Sequence, residues 1–255
     1  MMKIDDRVLA LKKEVKSLVF KLQNFDKEQF NCPVCHYTGA FKDLHPPTGI
    51  RKHAQCPKCH ALERHRIQYL VVDRLLANLD TSNLSMMHFA PENFFRGYFS
   101  TKFGHYETAD LYMPNVDYQV DLQDLPFSDR SYDFVFASHV LEHIPEDIKA
   151  ISEIRRILKP GGIAVLPVPL VGETTIEYPE PNPYEEYHVR APGLDYFDRY
   201  EPYFNRVDKI SSDSLPSKHQ LYVYEDRSVW PTEECPLRPT MYGEKYLDIV
   251  PVCYA

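Results

Sequence analysis

Six cysteines occur among the 255 residues, and four of them form two Cys-X-X-Cys pairs, Cys32-Pro-Val-Cys35 and Cys56-Pro-Lys-Cys59. A tight turn carrying such a pair aims two sulfurs at one point, and two such turns complete a tetrahedron. Neither a disulfide nor a redox motif needs the doubled arrangement. The spacing therefore predicts a structural zinc ion on Cys32, Cys35, Cys56 and Cys59, closed to substrate. His36, His53 and His60 lie beside or between the pairs and read as solvated side chains, while Cys235 and Cys253 read as free thiols.

The charge balance separates this region from the rest. Residues 1–66 carry 13 Lys and Arg against 7 Asp and Glu, whereas the remainder carries 16 against 30. An acidic body argues against a broad nucleic-acid groove, because phosphate binding needs a cationic face. The basic head keeps that option open locally, through Arg51, Lys52, Lys58, Arg64 and Arg66. No run of 18 or more apolar residues suggests a membrane span, and the N-terminus lacks the pattern of a secretory signal, so a cytoplasmic location is expected.

Periodicity outlines the elements that must position these groups. Val8, Leu11, Val15, Leu18, Val19 and Leu22 form one apolar stripe of a helix over 4–22, expected to pack on the body. A short dimeric coil is the alternative. A second helical pattern covers Ala61–Leu79. Apolar runs at Met86–Ala90, Tyr106–Asp110, Tyr118–Leu122, Tyr132–Ser138 and Gly162–Pro169 then alternate with helical stretches, and two further runs lie near Arg206–Ile210 and Leu221–Glu225. That alternation predicts an α/β fold with a mostly parallel sheet covered on both faces. A helix from Pro145 to Leu158 is the best marked. The expected organisation is an N-terminal helix over 1–30, a zinc-ribbon module over 31–66, a core over 67–227 with an insertion at about 172–200, and a tail over 228–255 wrapping the surface.

Four fragments carry a resemblance. They are Asp121-Leu-Gln-Asp-Leu-Pro-Phe127, Ser131-Tyr-Asp-Phe-Val-Phe-Ala-Ser138, His139-Val-Leu-Glu-His143 and Glu153-Ile-Arg-Arg-Ile-Leu-Lys-Pro-Gly-Gly162. In order and spacing, residues 86–169 resemble a class I, Rossmann-like S-adenosylmethionine-dependent methyltransferase of type 11. The resemblance implies that fold, that cofactor and methyl transfer. Asp110 closes the second strand's run, where an acid accepts from two ribose hydroxyls and attracts the sulfonium. By resemblance Asp121 accepts from the adenine amino group and Leu122 packs on the ring, with further cofactor contacts at Ala90, Glu92, Leu111 and Ser138. The usual glycine-rich turn is absent, and Met87-His-Phe-Ala-Pro-Glu92 stands in its place. Ala90 is small enough for close approach, but Pro91 cannot donate a hydrogen bond. This loop looks like the variant in zinc-ribbon-containing members.

The resemblance also orders the candidate proton-transfer groups. The Leu-Glu-His triplet ending at His143 recurs across members with different acceptors, which favours packing over chemistry. His188, in the insertion that commonly covers the acceptor, is the first candidate for general base, with Arg190 beside it to hold an anionic part of the substrate. His139, at the end of the fourth strand, is the second. The expected activity is O-methylation of a small molecule, a sugar or a cell-surface glycan precursor, since the Tyr-rich insertion offers aromatic faces to sugar rings. The alternatives are an RNA methyltransferase gripping RNA with the zinc module, and a non-catalytic zinc-ribbon interaction protein with a degenerate methyltransferase fold.

Overall fold

The computed structural model describes residues 4–255, which form two compact units. The first comprises residues up to Asp73 together with Ser212–Ser228 and Tyr242–Asp248. Helix α1 (Ile4–Gln23) matches the predicted span. Its stripe does not pack as expected: Val15, Leu18, Val19 and Leu22 are 46% to 65% exposed. A helix satisfies its backbone internally, so the pattern dictates the helix without supplying a partner for the stripe. The side chains of Val8 and Leu11 lie outside the described residues.

Beyond α1, Phe30–Asn31 pairs antiparallel with Thr38–Gly39 around the first cysteine pair. A four-stranded antiparallel sheet follows in the order Lys245–Tyr246, Val223–Glu225, Arg51–Gln55, Lys42–Leu44. The run at Leu221–Glu225, read from sequence as part of the parallel sheet, belongs to this sheet instead. Helix α2 (Glu63–Leu76) starts in this unit.

The second unit holds a seven-stranded sheet. Its strands are β1 (Ser85–Phe89), β2 (His105–Asp110), β3 (Tyr118–Gln119), β4 (Tyr132–Ala137), β5 (Leu158–Val165), β6 (Arg206–Ser211) and β7 (Ile249–Tyr254), in the order β3-β2-β1-β4-β5-β7-β6. The first five run parallel, and β7 is antiparallel to both its neighbours. The order 3-2-1-4-5 is that of the Rossmann-like doubly wound sheet. Helices α3 (Asn93–Phe99) and α4 (Asp147–Ile157) connect strands, and α4 buries Ala150, Ile151, Ile154 and Ile157. It stops at Ile157, where the chain passes directly into β5.

Two expectations fail in this unit. The C-terminal segment is not a surface tail, because β7 lies inside the sheet with Val250, Val252 and Cys253 fully buried. A strand covered on both faces shows no alternation, so its pattern could not be read as amphipathic. Nor is 172–200 an unpacked insertion. Ile176–Asn182 and His188–Ala191 form an antiparallel hairpin, and Arg190, Tyr196, Phe197 and Tyr200 are buried. Arg190 is the cause: it donates to Glu177 Oε2 at 2.9 Å and to the carbonyls of Leu141, Ile144 and Pro145 at 2.7, 2.6 and 2.9 Å. It therefore serves as a peg for the turn after β4, and not as the substrate-holding cation expected from sequence.

Candidate active site and metal centre

In the first unit the four cysteines converge. Cys32 Sγ is 3.6 Å from Cys59 Sγ, and Cys35 Sγ is 3.6 Å from Cys56 Sγ. A tetrahedral ion with bonds of about 2.3 Å sets sulfurs about 3.8 Å apart, whereas a disulfide needs about 2.05 Å. The thiols are all free, with Cys32 and Cys56 buried. The donor set fits zinc and leaves no position for substrate. Both turns repeat one hydrogen-bond pattern. Cys32 N–H donates to Tyr37 O and Cys56 N–H to Ala61 O, while His36 N–H and His60 N–H return to Cys32 O and Cys56 O. His36 and His60 close the turns with left-handed φ of 58° and 63°.

Beside the cluster, Arg66 is fully buried. Its guanidinium donates to the carbonyls of Ala54, Ala61, His219 and Gln220 at 2.6–3.0 Å and lies 4.4 Å from the Phe41 ring centroid. Arg51 pairs with the buried carboxylate of Glu63, and Lys52 with Glu244 at 3.2 Å. Arg51, Lys52 and Arg66, proposed to grip phosphate, are thus already engaged.

In the second unit a cavity of about 800 Å³ opens at the C-terminal edge of β1, β2 and β4. Its volume is at the upper part of the range for small-molecule sites. Ala90, Asp110, Leu111, Asp121, Leu122 and His139, all singled out from sequence, stand together on its wall. Asp110 Oδ1 accepts from the N–H groups of Tyr112 and Met113 at 2.7 and 2.6 Å, forming a tight turn at the strand end. Asp121 Oδ1 accepts from Gln123 N–H at 2.9 Å. Glu92 and Ser138 are not on this wall. Glu92 precedes the first turn of α3, and Ser138 is buried at the end of β4.

Four non-glycine residues of the wall adopt left-handed backbone: Ala90 (φ 46°), His139 (54°), Glu186 (53°) and Tyr187 (63°). Each costs on the order of 1–3 kcal/mol, a strain that concentrates at functional sites. Ala90 thereby takes the conformation that a glycine would supply in this turn.

The histidines divide by position. His139 and His143 line the cavity, while His188 is not on the wall and stands behind His143, with ring centroids 4.6 Å apart in an edge arrangement. The fully buried carboxylate of Glu142 lies among them, 3.4 Å from His139 Nδ1 and 3.9 Å from His188 Nε2. On the other side of the His188 ring, Nδ1 is 3.8 Å from Glu185 Oε2. Burial pulls the His188 imidazole down to about 4, so it is neutral at pH 7. Of the Leu-Glu-His triplet, read from sequence as packing, His143 stands on the cavity wall while Glu142 is fully buried behind it. The signal was present in the triplet but carried no direction without the hairpin. Tyr187 and Glu186 were missed because nothing in their sequence marks the left-handed turn.

Comparison with known proteins follows the same region. Residues 101–166 match a family described as a methyltransferase domain. A stretch of 69 residues is 36% identical to an uncharacterized 37.1 kDa protein of a Streptomyces fradiae transposon, covering 27% of this chain. Another of 47 residues is 47% identical to a demethylmenaquinone methyltransferase of Staphylococcus carnosus, covering 18% of this chain. The chain spans about a fifth of the length of each relative, 20% in both cases. An S-adenosylmethionine-dependent methyltransferase structure from Mesorhizobium loti is similar at 11% identity and a TM-score of 0.48, over 73% of this chain and 97% of that one. By strand order the second unit has the Rossmann-like doubly wound fold, and the segment that matches the methyltransferase family lies within it. Among the described residues, no helix is long and apolar enough to cross a membrane.

Proposed function

We propose that this chain is an S-adenosylmethionine-dependent methyltransferase acting on an oxygen of a small molecule, a sugar or cell-surface glycan precursor being the favoured acceptor, with a structural zinc on the four cysteines. The observation that carries the reading is that Asp110, Asp121 and His139 share one cavity wall at the C-terminal edge of a parallel sheet, where open α/β sheets take their ligands.

The wall fits the cofactor. Asp110 offers a carboxylate to ribose hydroxyls, Asp121 and Leu122 face the adenine end, and Ala90 permits close backbone approach. Bound there, the cofactor supplies a methyl group already activated by its sulfonium charge. The chain's own work is to bind and align the acceptor and to receive a proton. His139 is the group on the wall that can take it from an attacking hydroxyl, and buried Glu142 at 3.4 Å favours the imidazolium that results. His188, first choice on sequence, acts one step back by packing on His143. Tyr112 and Tyr187, 84% and 66% exposed, give aromatic faces on the cavity wall for a sugar ring. The engaged state of Arg51, Lys52 and Arg66 disfavours RNA.

The test is transfer of labelled methyl to a panel of nucleotide sugars, glycans and RNA. Label on a sugar oxygen is expected. Label confined to RNA overturns the acceptor class, and failure to bind S-adenosylmethionine in an equilibrium titration overturns the activity.

A further inference from the structure

We infer a second metal site in this chain, a divalent transition-ion site formed by Glu142, His143 and His188 at the back of the cavity. A carboxylate oxygen and one ring nitrogen from each histidine lie within 4.8 Å of one another. Ion–donor bonds of about 2.0–2.2 Å set neighbouring donors roughly 3–3.5 Å apart, so small side-chain rotations bring the three onto one ion.

Two features show a built constellation. Arg190 fixes the turn carrying Glu142 and His143 by bonding the carbonyls of Leu141, Ile144 and Pro145, and it lies two residues from His188 on the same strand. One strand therefore delivers both a ligand and the clamp for the other two. The second feature is the carboxylate behind the ring. Glu185, held by Arg238, Tyr178 and Asn182, faces His188 Nδ1 while Nε2 faces Glu142. At 3.8 Å it is a small rotation away from the hydrogen bond that sets tautomer and orientation in a metal-ligating histidine. Two imidazoles and a carboxylate suit zinc, iron(II), cobalt(II) or manganese(II) rather than the all-oxygen shells of calcium and magnesium.

Unlike the four-thiol cluster, this site opens on the cavity. His143 is on the wall and the His188 side chain keeps 14% exposure. Its role, which rests on the methyltransferase reading, is to take the acceptor's hydroxyl oxygen as a further ligand and lower its pKa beside His139.

The test is cobalt(II) titration of the full, metal-free chain, read by stoichiometry and absorption. Two equivalents are expected, one with thiolate charge-transfer bands and one with only the weaker bands of nitrogen and oxygen ligands. His143→Ala and His188→Gln should each weaken the second ion at least about a hundredfold, more than loss of a supporting carboxylate would, with the thiolate bands unchanged. A wild-type chain that takes one ion, all of it thiolate-bound, overturns the site whether or not the variants fold. So does a second ion that survives in the double variant. Titrating the protein with one zinc equivalent restored against S-adenosylmethionine keeps the two readings apart: intact cofactor binding without a second ion removes only this site, and absent cofactor binding removes the methyltransferase reading.

Discussion

The two clusters of ligating side chains in this protein are built on opposite plans. The four cysteines sit on two local turns with the same hydrogen-bond pattern, each spanning six residues from Cys32 to Tyr37 and from Cys56 to Ala61. Glu142, His143 and His188 come from a turn after β4 and a strand of a later hairpin, joined through Arg190. The first draws all four donors from its own turns and has few apolar neighbours in sequence to replace it. The second is supported by a complete parallel sheet. A site of the first kind holds its unit together; one of the second kind is held together by its unit.

The largest expected effect tests the first half of that contrast. Structural zinc in small modules is worth on the order of 10–16 kcal/mol of apparent binding energy, so Cys56→Ser with Cys59→Ser should abolish the cooperative unfolding of the first unit. A calorimetric trace unchanged from wild type would break the comparison. Next comes Arg66→Met, which strands four buried carbonyls and removes the cation beside the cluster. A loss of about 3–5 kcal/mol is expected in urea denaturation, and a loss below about 1 kcal/mol would show that Arg66 does not tie the unit.

On the other side of the contrast, variants should alter chemistry while sparing the fold. His139→Ala is expected to lower kcat at least about a hundredfold, with melting temperature and cofactor affinity unchanged. Asp110→Asn keeps an oxygen for the Tyr112 and Met113 N–H groups but removes the charge. Cofactor affinity should fall about ten- to a hundredfold, equivalent to about 1.5–3 kcal/mol. Binding at wild-type strength would mean that the ribose lies elsewhere.

The smallest effect is a slope. His88 is buried in the second unit among Phe99 and Phe136, its Nδ1 2.9 Å from Tyr106 Oη, and burial pulls its pKa from 6.5 to about 3. The unfolded chain binds a proton near pH 6.5 that the folded chain refuses. This contribution is therefore complete above pH 6.5 and declines as pH falls toward 3, by about 1.4 kcal/mol per unit. His88→Phe should flatten that slope in denaturation curves measured at pH 6.5 and 5.5; an unaltered slope would assign it to other groups.

How much of this was legible depended on whether the signal was local. The cysteine pairs, Asp110 at its strand end and the succession of the first five strands along the chain are short-range patterns, and all were readable. Leu221–Glu225 read as a strand but gave no clue to its sheet, because pairing partners are set by topology. The strand β7 was invisible for the opposite reason, since burial on both faces erases the period. At the site, Asp121 and His139 were readable from the motif, while His143 gained its place only through the hairpin. Glu92 and Ser138, expected at the cofactor from motif position, are not among the residues lining the cavity. The left-handed φ values of His139, Glu186 and Tyr187 have no sequence mark, since the residue types involved ordinarily avoid them.

The position of β7 also dictates an order of events during synthesis. Among the described residues strand β6 pairs only with β7, and residues 212–248 separate the two. Within that interval the chain first contributes Val223–Glu225 and then Lys245–Tyr246 to the other unit's sheet. A ribosome that has released β6 has therefore released a strand with nowhere to dock. Both sheets must wait, whereas the cysteine turns at 32–35 and 56–59 are complete nearly 200 residues earlier in the chain. Domains ordinarily close from the N-terminus as they emerge; here the cysteine turns can form early, but sheet completion in both units waits for the same later stretch of chain.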